Sequence, residues 1–380
     1  MMSITINATT TVSKQMGTPS LSCAFPVTCQ LHNNEILCLY RVGHTKHSRD
    51  GILLVQKSFD DGISWRDPTT VCDLMGTHIP QSVHAGAICQ TKDGVVHALF
   101  TAVLAQDTEE YIFSNTGRKL EQYFYSTQSH DNGATWTHPK VHNIPNTPHL
   151  RYINSRPFAL PDGDLLVPIE VTKPDGCQAI MISRYSTSDR QFQPAIWCAN
   201  DITGKLSFGD PSLARLPQGT IMVLSWTYVN ATEATIQAHV TTSHDDGHIW
   251  TQPHPIGPIC QNAALLAHSG NHMYIAGNVR NPPHGIRLWH SSDAGTTWNT
   301  DSPLQLYDMK TNTISGLPPS TSSDTNHANL NGDLWDSLPS FTFGAPDLTT
   351  TSSNNILLTY YAVAQNKEEV RACNFAPHFT

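Results

Sequence analysis

Ser58-Phe59-Asp60-Asp61-Gly62-Ile63-Ser64-Trp65 is the stretch that decides the fold, because its pattern, Ser-x-Asp-x-Gly-x-x-Trp, returns three more times. The other copies run from Ser129 to Trp136, from Ser243 to Trp250 and from Ser291 to Trp298. Each position of the pattern has a physical reason. An Asp two residues into a tight turn accepts backbone N–H bonds, the Gly supplies a positive-φ position, and the Trp buries a large ring under a hairpin. Four copies make this a repeat protein, and a repeat array can occupy residues 1–380 as a single closed domain.

Composition agrees with many short strands joined by turns. Hydrophobic residues make up 39% of the chain and charged residues 14%, with 23 Gly and 25 Pro, which argues against disorder. A formal charge of −9 argues against a nucleic-acid or anionic-membrane partner, so any anionic ligand must be held by a local basic pocket. The start, Met1 to Thr11, has no basic segment followed by an apolar run, and nothing approaches the ~20 apolar residues of a membrane span. A cytoplasmic protein with no membrane partner is expected. The nine Cys are scattered and lack Cys-x-x-Cys spacing, which reads as buried thiols, with no metal and no cofactor.

Around the repeated string the chain divides into six units. Each has a first strand, a turn, an apolar second strand, a connecting loop and a third strand that runs into the repeated turn. The second strands are Ile36 to Tyr40, Val95 to Phe100, Leu165 to Ile169, Ile221 to Trp226, Met273 to Ala276 and Ile356 to Tyr361. The units recur roughly every 50–70 residues, a length that suits a four-stranded antiparallel propeller blade. The third unit keeps only a degenerate turn, Ser186 to Asp189, and the sixth has none. Unit six also lacks a fourth strand after Cys373, whereas Ile4 to Val12 alternates like a strand with no unit of its own. The expectation is an all-β, six-bladed β-propeller whose N-terminal strand closes the last blade, with a long loop at about 306–340 between blades 5 and 6.

Alternating strand direction places two sets of loops on one face: those leading into the first strands, and those joining second strands to third strands. The repeated turns fall on the other. The first face offers Arg41, His44, His47 and Asp50 from blade 1, and His84, Arg156 and Asp210 at or near the starts of first strands. It also offers Arg280 and Arg287 from blade 5, Tyr361 from blade 6, and Asp107, Glu109, Glu110 and Tyr111 from blade 2.

The repeated string resembles the Asp-box, or BNR, repeat, and with it nearly the full chain resembles the sialidase superfamily of β-propellers. That resemblance implies a pocket at the centre of the first face and a glycoside hydrolase acting on an acidic sugar, sialic-acid-like or a uronate. Sialidases hold the sugar carboxylate with three Arg, protonate the leaving oxygen with an Asp, and attack with a Tyr activated by a Glu. Guanidinium is a permanent planar donor matched to carboxylate, and a neutral phenol avoids setting a charged nucleophile beside the substrate's own charge. On this resemblance Asp50 is the acid/base, Arg41, Arg156 and Arg287 are carboxylate binders, and Tyr361 is the nucleophile candidate. His47, Asp210 and Arg280 complete the substrate-binding set. Where the family has Phe-Arg-Ile-Pro this chain has Cys23-Ala24-Phe25-Pro26, so the first Arg of that clamp is absent. Two other readings stay open: a polysaccharide lyase with His44 or His84 as base, and a non-catalytic glycan-binding propeller.

Overall fold

The computed structural model describes residues 2–13, 21–105, 122–148, 150–153, 155–317, 341–364 and 366–379. Among them are twenty-seven strands and no helix. After β1 (Met2–Thr11), blade 1 is β2 (Ser22–Gln30), β3 (Ile36–Gly43), β4 (Ile52–Ser58) and β5 (Thr69–Cys72). Blade 2 is β6 (Gln81–Gln90), β7 (Val96–Leu104), β8 (Gln122–Ser129) and β9 (Lys140–His142). In blade 3 both edge positions, inner and outer, are broken. Here β10 (Leu150–Tyr152) and β11 (Phe158–Ala159) share β12 (Leu165–Thr172), while β14 (Gln191–Phe192) and β15 (Ile196–Ala199) share β13 (Gln178–Ser186).

Blade 4 is β16 (Leu206–Arg215), β17 (Ile221–Val229), β18 (Gln237–Ser243) and β19 (His254–Ile259). Blade 5 is β20 (Gln261–Ala267), β21 (Met273–Val279), β22 (Gly285–Ser291) and β23 (Leu304–Asp308), with a fifth strand, β24 (Thr313–Leu317). The stretch expected as a loop from 306 is thus a hairpin up to Leu317, pairing Tyr307 with Ile314, and 318–340 lie outside the described residues. Blade 6 is β25 (Phe343–Thr350), β26 (Ile356–Ala364) and β27 (Lys367–Phe379), with β1 as its outer strand in antiparallel register, Ile4 opposite Pro377. The spare N-terminal strand supplies the missing one.

Six hydrophobic clusters sit between neighbouring blades, one at each seam. Blades 1 and 2 meet through Leu39, Leu53, Ile88 and Phe100, blades 5 and 6 through Leu288, Leu306, Leu358 and Phe375, and the remaining seams follow suit. The second strands are buried on both faces because each blade is covered on both sides. That is why the second strands read as unbroken apolar runs instead of alternating ones. Outer strand β1 alternates instead, with inward Met2, Ile4 and Ile6 and more exposed Ser3, Thr5 and Asn7.

The repeated turns are staples between blades. In the first, Ser58 Oγ accepts the Gly62 N–H at 2.8 Å, and Asp60 accepts the Ser64 N–H at 2.8 Å and its hydroxyl at 2.6 Å. Gly62 has φ +85, and a Cβ there would meet Leu357 of blade 6 at 2.6 Å. The glycines of the other three copies likewise lie against a second-strand side chain of the preceding blade: Gly133 on Leu37, Gly247 on Leu166 and Gly295 on Met222. Glycine is required twice over, by backbone conformation and by this close approach. At the closing seam Asp61 adds a clip, its two oxygens accepting N–H and O–H bonds from Ser352 and Ser353.

Deleting residues 1–13 strips β1 and Val12 from blade 6 and exposes the apolar edge that Ile4 and Ile6 cover. Losing that burial should lower the melting temperature by about 5–10 °C, measured by calorimetry. An unchanged melting temperature would show that β1 adds nothing to closure.

Candidate functional site

The innermost strand of each blade carries an irregularity at the same depth, and these irregularities build the site. The register of β2 breaks between Ala24 and Val27, of β6 between Val83 and Ala85, of β16 between Gly209 and Ser212, of β20 between Gln261 and Ala263, and of β25 between Gly344 and Asp347. The residues left over are Phe25, His84, Asp210, Asn262 and Ala345, and all five line one central pocket. In three of them the extra residue has positive φ, +57 at Phe25 and +46 at Asp210 and Ala345, and a Pro follows. A bulge of this kind turns a side chain out of the pleat. Blade 3 achieves the same end by breaking its inner strand, with Arg156-Pro157 in the gap between β10 and β11. Beneath Asp210, the buried Glu170 carboxylate accepts its N–H at 2.9 Å and holds the bulge.

The pocket and its open mouth together span about 1160 Å³, solvent at the mouth included. One wall is aromatic. The Phe25 ring lies 5.5 Å from His47, 5.6 Å from His84 and 5.8 Å edge-on from Tyr361, and the two His rings stack at 5.7 Å. Burial, with His84 and two cations nearby, drives the His47 pKa well below the usual range, so its ring is neutral at pH 7.

A second wall holds Arg156, whose Nη2 pairs with Asp347 at 2.7 Å and with the Leu348 carbonyl at 2.9 Å. Asp347 is further held by the N–H and hydroxyl of Thr28, so blades 1, 3 and 6 are tied across the ring. On the third wall Arg280 bonds Gln261 at 3.0 Å and lies beside the Tyr361 hydroxyl, and its guanidinium lies over Phe341 and Phe343, 3.9 and 4.4 Å from their centroids. Its Nη1 is buried without a hydrogen-bond partner, as is Oδ1 of neighbouring Asn278. Burial lowers the Arg280 pKa only to about 10, leaving it cationic, and pushes Tyr361 up to about 12, leaving it a neutral phenol. Gly344 permits this meeting, since a Cβ there would stand 2.9 Å from the Tyr361 hydroxyl and 3.0 Å from Arg280.

Six of the sequence-derived site residues therefore converge: His47, His84, Arg156, Asp210, Arg280 and Tyr361. Four do not line the pocket. Arg41 is 1% exposed and spends its guanidinium inside the blade 1 loop, donating to the carbonyls of Val83 at 3.0 Å, Thr45 at 2.6 Å and Ser48. Asp50 accepts the N–H and ring N–H of His44 and the Ser48 hydroxyl. Burial pulls its pKa upward, but those bonds outweigh it and hold the carboxyl below its ordinary value, so Asp50 is an ionised anchor at neutral pH. His44 is exposed above it, and Arg287 projects from β22 to the Pro283 carbonyl at 3.2 Å. Asp107, Glu109, Glu110 and Tyr111 lie outside the described residues. Sequence reasoning did not single out Lys46, Gln261, Asn278 or Phe341. Among the described residues no group of three or more His, Cys, Asp or Glu is arranged to hold a metal.

The profile of the BNR repeat-like domain matches residues 88–310, more than half of the chain, and the chain belongs to that family. Its six-bladed ring is the fold of the sialidases, from which its sequence has diverged. A Dyadobacter fermentans protein of unknown function superimposes with a TM-score of 0.73 at 16% identity, covering 99% of this chain and 100% of that one. Hadza microbial sialidase Hz136 gives 0.64 at 15% identity over 93% of this chain, and Trypanosoma rangeli sialidase in complex with sialic acid gives 0.61 at 12% over 98%. The chain spans 65% and 58% of the length of those two sialidases. No curated relative matches by sequence.

An ionised Asp50 that anchors the loop makes a definite prediction. Asp50→Asn should lose about 1 kcal/mol of stability at pH 7. Because the folded pKa is depressed, the carboxylate's contribution exists above the unfolded value near 4 and fades as pH falls through the folded one. Urea unfolding at pH 7 and at pH 3 should show the gap between wild type and variant closing at the lower pH; a gap that is constant or widens would contradict the anchor role.

Proposed function

We propose that the central pocket takes an acidic sugar and that the protein is a glycoside hydrolase of sialidase type with a reduced carboxylate clamp. The observation that supports this most directly is Arg280: a buried guanidinium with an unpartnered Nη1, set beside a neutral phenol inside an aromatic-lined pocket. A carboxylate is the ligand group whose geometry fits that free donor. In this reading Arg280 holds the sugar carboxylate, Tyr361 attacks the anomeric carbon as the glycosidic bond breaks, and Asp210 accepts the phenolic proton. His84, in the same aromatic wall on the Phe25 ring, donates a proton to the leaving oxygen. A phenol suits the task because it carries no charge to repel the substrate anion until its proton leaves.

A second reading, a glycan-binding propeller without turnover, is favoured by one observation. Arg156 has its Nη2 committed to Asp347, and with Arg41 and Arg287 outside the lining Arg280 is the one lining guanidinium not already held by a carboxylate.

Turnover of 4-methylumbelliferyl N-acetylneuraminide and calorimetric binding of N-acetylneuraminic acid separate the two readings. Under the hydrolase reading Tyr361→Phe should cut kcat by about 10³-fold or more with affinity nearly unchanged, whereas Arg280→Met should weaken binding roughly 10–100-fold. Binding without turnover in the wild type would identify the non-catalytic propeller. Absence of both would remove this acidic sugar as the ligand.

A further inference from the structure

The loop between β3 and β4 is braced from within. Arg41 donates to the carbonyls of Thr45 and Ser48, the Ser48 hydroxyl bridges Thr45 and Asp50, and Asp50 holds the His44 N–H. The loop is also fastened to blade 2, where Gly51 bonds Val83 and Ser82, and to blade 6, where Lys367 donates to the His44 carbonyl at 3.1 Å. What so much bracing delivers to the ring centre, besides His47, is Lys46. This side chain is 2% exposed; its ammonium donates to the Phe341 carbonyl and lies 5.5 Å from the centroid of the Tyr361 ring.

These contacts close into a circuit. Lys46 holds the carbonyl of Phe341, the Phe341 ring covers the Arg280 guanidinium, Arg280 lies beside the Tyr361 hydroxyl, and the Tyr361 ring lies under Lys46. Two cations brought this close repel each other, and burying an ammonium is costly, so the arrangement opposes stability unless something gains from it. The group that would gain is an anion between them.

We propose that Lys46 is a positioning residue of the central pocket, fixing Phe341 and Tyr361 from behind so that Arg280 faces an anionic ligand, and adding its own charge to that site without lining it. The ligand half of this rests on the acidic-sugar reading; the circuit does not. The charged groups facing Lys46 are Glu368, which favours its proton, and Arg280, which disfavours it, with His47 neutral beside it. Burial outweighs Glu368 and brings the ammonium pKa down to about 8. A sugar carboxylate stays ionised throughout, so affinity should be level below pH 8 and fall above it as Lys46 loses its charge.

Two measurements test this. Without ligand, hydrogen exchange of the segment 341–347 should be faster in Lys46→Met than in wild type, while Lys46→Arg, which keeps the charge, should stay near wild type. With N-acetylneuraminic acid as probe, wild-type affinity should fall roughly tenfold between pH 7 and 9.5, about one pK unit of interaction. Lys46→Arg should lose most of that fall, and Lys46→Met should be weak at both pH values. Faster exchange with no binding by any form would support the positioning role and count against the acidic-sugar reading alone. Unchanged exchange in Lys46→Met, or a pH-dependent fall that survives in it, would overturn the proposal.

Discussion

The innermost strand of every blade has a partner on one side only, and the rest of the site depends on that free edge. A strand paired on both sides cannot slip its register without breaking two ladders; an inner strand breaks one and can satisfy its displaced groups from the channel. Proline needs the same freedom, since it has no N–H to give to a ladder. Pro26, Pro211 and Pro346 therefore follow Phe25, Asp210 and Ala345 at the bulges of β2, β16 and β25. Positive φ at three non-glycine residues is strained backbone, kept because neighbours over-determine it, as the Glu170 carboxylate does at the Asp210 N–H.

Three arginines show how differently one side chain can be used on this frame. Arg41 gives its donors to backbone carbonyls and acts as part of the chain's own architecture. Arg156 is exposed to the pocket yet paired with Asp347, so an anion approaching it competes with a carboxylate already in place. Arg280 combines a place in the lining with a buried, unpartnered Nη1 and, unlike Arg156, has no ion pair with a carboxylate among the described residues. Desolvation has been imposed on it without full compensation, and an incoming carboxylate would supply the missing acceptor.

The frame was legible in the sequence because its determinants are local. The turn chemistry of Ser58, Asp60 and Gly62, the apolar second strands and the unpaired alternation of Ile4 and Ile6 each fit within about ten residues and recur at intervals. The site was legible only in part. Candidates at strand starts, His84, Arg156 and Asp210, reached the pocket because a bulge at His84 and at Asp210, and the strand break at Arg156, turn them inward. Candidates within the blade 1 loop did not separate, since Arg41, His44, Lys46, His47 and Asp50 are all ionisable neighbours and only the folded loop shows which ones bond its own backbone. The Arg280–Phe341 contact joins residues sixty-one apart, and no spacing rule announces it.

Frame and pocket are also separable physically. The glycine staples grip the preceding blade at the turns between third and fourth strands, while the ligand face is lined from the bulged inner strands. Four positions before proline carry Phe25, Arg156, Asp210 and Ala345: an aromatic, a cation, an anion and a methyl group, three at positive-φ bulges and Arg156 at a strand break. A frame that accepts all four places little constraint on what projects from it. Likeness of the ring to the sialidases accordingly establishes architecture, and the chemistry has to be argued from the one guanidinium and the one phenol that this chain sets against each other at its centre.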